Sequence, residues 1–243
     1  MLRIAGCALL FVLIAPIHIA TKLIRGRSHW PQRFLAAAAW ILGIRVRVTG
    51  HGLGRHTLAV ANHTSWMDIV LLGGSLGTRF VAKDDLGHGF LHWLADQNST
   101  IYVRRTHRRG AKDQAETIAR ALEGEQPIAI FPEGTTGPGT YLLPFRSTLL
   151  EAARLTEGRI SVRPVAIDYG ANRAEAGWFN EEPGRTNVLR ILRRRGTMSV
   201  IVHVLGPLDP NSNRKQLTQE AESAIALTLG FKSPAHSPIA AEE

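Results

Sequence analysis

Two side chains in the stretch Asn62-His63-Thr64-Ser65-Trp66-Met67-Asp68 have the types needed for proton transfer: the imidazole of His63 and the carboxylate of Asp68. A carboxylate bonded to one ring nitrogen orients an imidazole and stabilises its protonated form, leaving the other nitrogen to take a proton from a hydroxyl. Five residues of regular helix would set the two about 140° apart and prevent contact. The pair therefore requires His63 in a turn before a helix, folded back over the first helical turn toward Asp68. The same residues also suit plainer roles, with Asn62 or Ser65 as a helix cap and Asp68 favourable near a helix N-terminus. Ser65 lacks a Gly-x-Ser-x-Gly elbow and is not read as a hydrolase nucleophile. The only cysteine, Cys7, excludes an intramolecular disulfide framework and a cysteine-ligated zinc site, and leaves no thiol nucleophile in the rest of the chain.

A second group is Ile130-Phe131-Pro132-Glu133-Gly134-Thr135-Thr136. Pro132 stops a strand ladder and Gly134 permits a turn with close backbone approach. Glu133 between them is expected to face a cleft and accept hydrogen bonds from substrate hydroxyls, against the plainer reading of a tight turn with one solvated Glu. The loop Gly137-Pro138-Gly139-Thr140 is rich in turn formers and is a candidate lid. A third group, Tyr102 to Arg109, carries Arg104, Arg105, Arg108 and Arg109, whose planar forks suit phosphate, carboxylate or a lipid headgroup. Arg190, Arg193, Arg194 and Arg195 are read as membrane- or partner-facing charge.

Elements must hold these groups. Ile44 to Val48 alternates apolar and basic residues, the period of a half-exposed strand. Short apolar runs at Thr57–Ala61, Arg79–Ala82, Thr100–Val103, Ile128–Phe131, Val162–Ile167 and Ser199–Leu205 predict strands. Helical spacing predicts helices over Ala111–Leu122, Ser147–Leu155 and Gln216–Leu229. This alternation predicts an α/β fold, a mixed and largely parallel sheet flanked by helices. Candidate groups then sit at the carboxyl ends of strands, where open α/β sheets place their sites.

The formal charge of +9 is concentrated at one end: residues 1–67 contain eight Lys or Arg and no Asp or Glu, and the rest contains 21 basic and 20 acidic residues. Because these cations are interleaved with apolar runs, they point to an anionic membrane surface and away from a nucleic-acid partner. Ile4 to Ala20 is uncharged and as a helix measures about 26 Å, slightly short of a hydrocarbon core of about 30 Å. A short span, a helix dipping into one leaflet, and a signal peptide are the readings; Thr21-Lys22-Leu23 offers no small-x-small cleavage site. Phe34 to Ile44 is a second apolar segment, fitting either the return arm of a hairpin or an ordinary buried helix. Lys22, Arg25 and Arg27 favour a cytoplasmic location for the remainder of the chain. The expected organisation is a membrane-associated segment or helical hairpin at 1–43, an α/β domain at 44–231 and a disordered tail at 232–243.

Taken together and in this order, these groups resemble the glycerolipid acyltransferase family that includes 1-acylglycerol-3-phosphate acyltransferases. Asn62 to Asp68 matches its His-x4-Asp block, Tyr102 to Arg105 its second, Phe131 to Thr135 its third, and Val162-Arg163-Pro164-Val165-Ala166-Ile167 its fourth. The resemblance implies transfer of a fatty acyl group from acyl-CoA or acyl-carrier protein to a lysolipid hydroxyl, and the expected location is the inner membrane with the catalytic domain on the cytoplasmic side. It implies His63 as general base, Asp68 as its orienting partner, Arg104, Arg105, Glu133, Gly134 and Thr135 around the acceptor headgroup, and Pro164 shaping the cleft. It implies no cofactor, metal or covalent acyl-enzyme. Two positions depart from the pattern: Thr136 stands where Arg often follows Gly-Thr, and Arg104 stands where Asp is more usual. The first-choice acceptor is 1-acylglycerol-3-phosphate, with lyso-ornithine lipid as the alternative, since the Phe131 to Phe145 region is similar to those enzymes too. A non-catalytic membrane-binding protein and a lipid hydrolase are the rival classes.

Overall fold

Every predicted strand forms, and their order explains how groups distant in sequence meet. The structure is a computed structural model that describes residues 2–83, 89–103, 107–179, 182–209 and 212–232. Seven strands, β1 (Ile44–Gly50), β2 (Thr57–Ala61), β3 (Arg79–Lys83), β4 (Ile101–Val103), β5 (Ile128–Ile130), β6 (Ser161–Asp168) and β7 (Met198–Val204), make one sheet in the order β1-β7-β6-β2-β5-β3-β4. β6, β2, β5, β3 and β4 run parallel, so their carboxyl ends share one edge. β7 runs antiparallel to β6, and β1 runs parallel to β7. The fold is thus mixed and largely parallel, as the alternation of patterns predicts. β2, central and buried at every residue, is a continuous apolar run, as a strand covered on both faces should be.

Alternate residues of the central strands face two helical layers. Ala59, Ala61, Val165 and Ile167 pack with Met67, Leu71 and Leu72 of α3 (Met67–Leu76) and with Ala39 of α2 (Trp30–Ile41). Leu58, Val60, Ile128, Ile130 and Val162 pack on the other face with Ala115, Ile118 and Leu122 of α5 (His107–Leu122), and with Leu217 and Ala221 of α9 (Arg214–Leu229). α9 opens on a capping box in which Asn213 accepts from Lys215 and Gln216 backbone N–H groups, while the Gln216 side chain accepts from Asn213 N.

One local expectation is revised. Of the helix predicted over 147–155, only α6 (Glu151–Leu155) is regular; residues 147–150 form tight turns in which Leu150 N donates to Ser147 O. The helices α7 (Arg173–Ala176) and α8 (Gly184–Arg193) lie outside the predicted elements. Arg190 is exposed and paired within the chain: it bonds Glu182 Oε1 and Oε2 at 3.0 Å and Gly177 O at 2.9 Å, and it bonds Glu175 O. Between β3 and β4 lies α4 (Phe90–Gln97). Of the expected tail, all but Lys232 lies outside the described residues.

The N-terminal apolar run belongs to α1 (Leu2–Arg25), a helix of 24 residues, about 36 Å long. α1 and α2 form a helical hairpin, with Gly6 against Ile41 and the Phe11 and Phe34 rings 6.2 Å apart, edge to face. Both ends of α1 are bonded to the rest of the chain. Arg3 Nη2 donates to Gly196 O at 2.5 Å, and His18 lies 2.9 Å from Ser28 Oγ and 3.1 Å from Gln97 Oε1.

α2 reaches the sheet through α3, and the approach depends on Gly74. A Cβ there would stand 2.6 Å from Ala36 N and 2.9 Å from Leu35 C, backbone atoms that cannot swing aside. Gly74→Ala should therefore cost about 1–3 kcal/mol of overpacking, outweighing a helix-propensity gain of about 1 kcal/mol. Urea unfolding checks this against Gly54→Ala, where nothing lies within 4 Å and little change is expected.

Candidate active site

β2 ends at Ala61, and the next side chain replaces the strand ladder. The buried Asn62 amide donates to Ile167 O at 3.1 Å and accepts from Ile167 N at 2.8 Å, a peptide-like pair that clamps the turn to the end of β6. His63, Thr64 and Ser65 make that turn, and α3 begins two residues later. Asp68, in the first turn of α3, reaches back over it. Its Oδ2 accepts from Thr64 N at 2.7 Å and Ser65 N at 2.8 Å, and stands 2.9 Å from His63 Nδ1. The turn before the helix is what brings residues five apart into contact, as the spacing requires.

The second carboxylate oxygen is held from another strand. Tyr169, buried just beyond β6, donates its hydroxyl to Asp68 Oδ1 at 2.5 Å. Burial, then the adjacent Asp68 charge and this hydrogen bond, push the Tyr169 phenol well above its ordinary value, so it stays a donor. Asp68 is wholly buried and faces donors on both oxygens. The proton between Asp68 and His63 therefore belongs on Nδ1, which leaves His63 Nε2 as the basic nitrogen. The ring lies flat on Phe131, with centroids 4.1 Å apart and planes 15° apart, and Phe131 stacks in turn on Phe80. The His63 side chain is 16% exposed, enough for a bound hydroxyl to reach it.

Glu133 is placed otherwise than the sequence suggests. Instead of facing a cleft it is buried: Oε1 accepts from His63 N at 2.6 Å and Oε2 from Leu143 N at 2.9 Å. Short charged side chains in tight turns are solvated unless backbone donors need them; here two do. Burial, aided by the negative Asp68 and Glu222 and opposed by the two N–H donors, pushes the Glu133 carboxyl up to about 8. Glu133 therefore fixes the backbone beneath the imidazole. Gly134 takes φ +74°, the left-handed turn expected of it, and Thr135 is exposed on the following loop.

Two further expectations are revised. Pro164 lies in mid-strand opposite Val60, on the face it shares with Val162 and Ala166, and away from the α3 face that carries the imidazole stack. Lacking an N–H, it cannot return the bond that Leu205 N gives Pro164 O, and the Arg163 guanidinium bonds Leu205 O instead, at 2.6 and 2.9 Å. The candidate lid is pinned: Gly137 N donates to His63 O at 2.8 Å, and Trp178 N to Gly137 O at 3.2 Å and Thr64 O at 3.1 Å. Arg104 and Arg105 lie outside the described residues. Sequence reasoning missed Tyr169 and the clamp role of Asn62. The usable signal for Asn62 was its place directly after the apolar run at Thr57–Ala61, whereas nothing local marked Tyr169. Among the described residues, no three His, Cys, Asp or Glu side chains gather into a metal-binding group.

A parallel sheet edge carrying an oriented imidazole is equipped for proton transfer, and comparison with known proteins defines the class of protein. The sequence model of the Acyltransferase family matches residues 45–168, from β1 through β6, and the chain belongs to that family. It is 32% identical to a lyso-ornithine lipid O-acyltransferase of Rhodobacter capsulatus, over 96% of this chain and 91% of the relative. It is 29% identical to a 1-acyl-sn-glycerol-3-phosphate acyltransferase of Neisseria gonorrhoeae over 55% of this chain and 52% of that one. The crystal structure of the 1-acyl-sn-glycerophosphate acyltransferase PlsC from Thermotoga maritima superposes with a TM-score of 0.64, covering 95% of this chain and 97% of that one at 23% identity, a likeness of fold. The protein is an acyltransferase.

Glu133→Gln must set an NH2 group against one of two backbone N–H donors, costing about 1–3 kcal/mol. A carboxyl pushed up to about 8 from an ordinary 4.5 gives stability that is full below the ordinary value and lost as pH rises through 8. The stability gap between wild type and Glu133→Gln, read by urea unfolding at about pH 5 and about pH 8.5, should therefore narrow at the higher pH. A gap that widened would contradict burial as the cause of the shift.

Proposed function

We propose that this chain transfers a fatty acyl group from a thioester, acyl-CoA or acyl-carrier protein, to the hydroxyl of a lyso-ornithine lipid at a membrane surface. The observation that carries the chemistry is the 2.9 Å contact between His63 Nδ1 and a fully buried Asp68, which presents Nε2 as a base. His63 Nε2 removes the hydroxyl proton as the alkoxide oxygen attacks the thioester carbonyl. The tetrahedral intermediate collapses by breaking the carbon–sulfur bond, and the imidazolium returns its proton to the departing thiolate. A thiol of pKa about 8.5 leaves readily, so no covalent acyl-enzyme is required. Asp68 stabilises the imidazolium while it lasts.

The acceptor moves from the first expectation to its alternative. Similarity to the Rhodobacter enzyme runs through 96% of the chain, and Thr136 removes a cation expected beside a phosphate. Lysophosphatidate is the second reading, favoured by the Neisseria relative, though over only about half the chain.

The N-terminal hairpin supports membrane association. Leu9, Val12, Leu13, Leu23 and Ile24 of α1 are between 59% and 82% exposed. Because both ends of α1 are tied to the domain, the helix lies along it with this apolar face outward, which favours insertion into one leaflet over a span. Trp30 with Arg33 at one end, and Trp40 with Arg45 at the other, form cation–π pairs suited to the headgroup layer. A cytoplasmic orientation gives access to the thioester donor and agrees with Lys22, Arg25 and Arg27.

Purified protein in vesicles, supplied with acyl-CoA or acyl-carrier protein and with lyso-ornithine lipid or lysophosphatidate in parallel, should release thiol and form the diacyl product fastest with lyso-ornithine lipid. His63→Ala should slow this by about 10³-fold while vesicle binding is unchanged. Thiol release with free fatty acid as the product would instead identify a hydrolase, and faster turnover of lysophosphatidate would restore the first expectation.

A further inference from the structure

Tyr169 lies outside all four sequence blocks, yet its hydroxyl is the group that holds the second oxygen of the orienting carboxylate. With Oδ2 engaged by Thr64 N, Ser65 N and His63 Nδ1, rotation of the carboxylate would exchange which oxygen faces the imidazole. The contact bridges 101 residues of sequence and joins α3 to the end of β6. Its base is rigid as well, since Asn62 pairs with Ile167 two residues earlier, and Asp168 between them is paired with Arg173 at 3.5 Å.

We infer that Tyr169 is a positioning residue for acyl transfer: its phenol pins Asp68 through Oδ1, keeping Oδ2 on His63 Nδ1, and tunes how strongly that carboxylate holds the imidazolium. The inference rests on the proposed acyltransferase reading for its kinetic arm and on the geometry alone for its spectroscopic arm. A donor on Oδ1 withdraws charge from the carboxylate. Removing it concentrates charge on Oδ2 and favours imidazolium; strengthening it does the reverse. Among the described residues, Glu133 faces this pair, bonded to His63 N from the turn after β5, and Glu222 of α9 lies close enough to Glu133 to raise its carboxyl; neither is altered by changes at Tyr169.

The test uses the full-length protein with Tyr169→Phe, which keeps the ring that fills the core, and with 3,5-difluorotyrosine incorporated at 169, which keeps a stronger donor. Histidine NMR of His63 should give a titration midpoint raised by roughly half a pH unit in Tyr169→Phe and lowered in the fluorinated protein. The acidic limb of kcat/KM should move in the same two directions. In Tyr169→Phe, kcat should fall up to about 100-fold, with KM for donor and acceptor unchanged. A midpoint unmoved in both variants, or one that moves the same way in both, overturns the inference, as does Tyr169→Phe with wild-type kcat. Wild-type protein that turns over no lysolipid would refute the acyltransferase reading instead, leaving the NMR result to decide the role of Tyr169.

Discussion

A single buried carboxylate organises this site. Asp68 has no exposure to solvent, and a charge so placed persists only if donors replace the water it has lost. Two come from the backbone of its own turn, one from the imidazole and one from a phenol on a neighbouring strand. Those bonds that keep the charge stable are the same bonds that set the His63 turn, choose its tautomer and tie α3 to the sheet. Function and local stability therefore draw on one set of contacts, and a change to any donor alters both.

Strand order makes this convergence feasible. β2 lies between β6 and β5, all three parallel, so the chain leaving β2 is flanked by the ends of both neighbours. From β6 come the Ile167 peptide groups that take Asn62, and Tyr169 that takes Asp68. From β5 come Phe131, a flat support for the imidazole, and Glu133, which holds the His63 N–H from below. The pinned loop at Gly137 closes the remaining side through His63 O. A base enclosed in this way reaches its substrate through one face, the unbonded edge of the imidazole.

Much of this was legible in the sequence, and the boundary has a physical cause. Apolar runs of strand length located six of the seven strands and apolar–basic alternation located β1, since burial leaves a mark that needs no partner to read. The His63–Asp68 pair was also legible, because its geometry is set by a turn and one helical turn, both local. Glu133 was visible as special but misread, because whether a turn carboxylate faces water or two backbone donors depends on which strand lies beside it. Tyr169 and Pro164 were beyond a local reading for the same reason: one contacts its partner across 101 residues, and the other faces a layer that only the sheet's order assigns. The hairpin was legible as apolar and basic, whereas its attachment at both ends rests on Arg3 and His18 meeting residues far along the chain.

The central claim is that Asp68 keeps the proton of neutral His63 on Nδ1, so that Nε2 is the base. Nitrogen-15 NMR of the imidazole in wild-type protein in detergent micelles or nanodiscs, near neutral pH and without substrate, reads this directly. The account predicts the signature of an Nδ1-protonated ring coupled to its hydrogen-bond partner, with Nε2 bare. A ring protonated on Nε2, or one exchanging freely between tautomers, would contradict it.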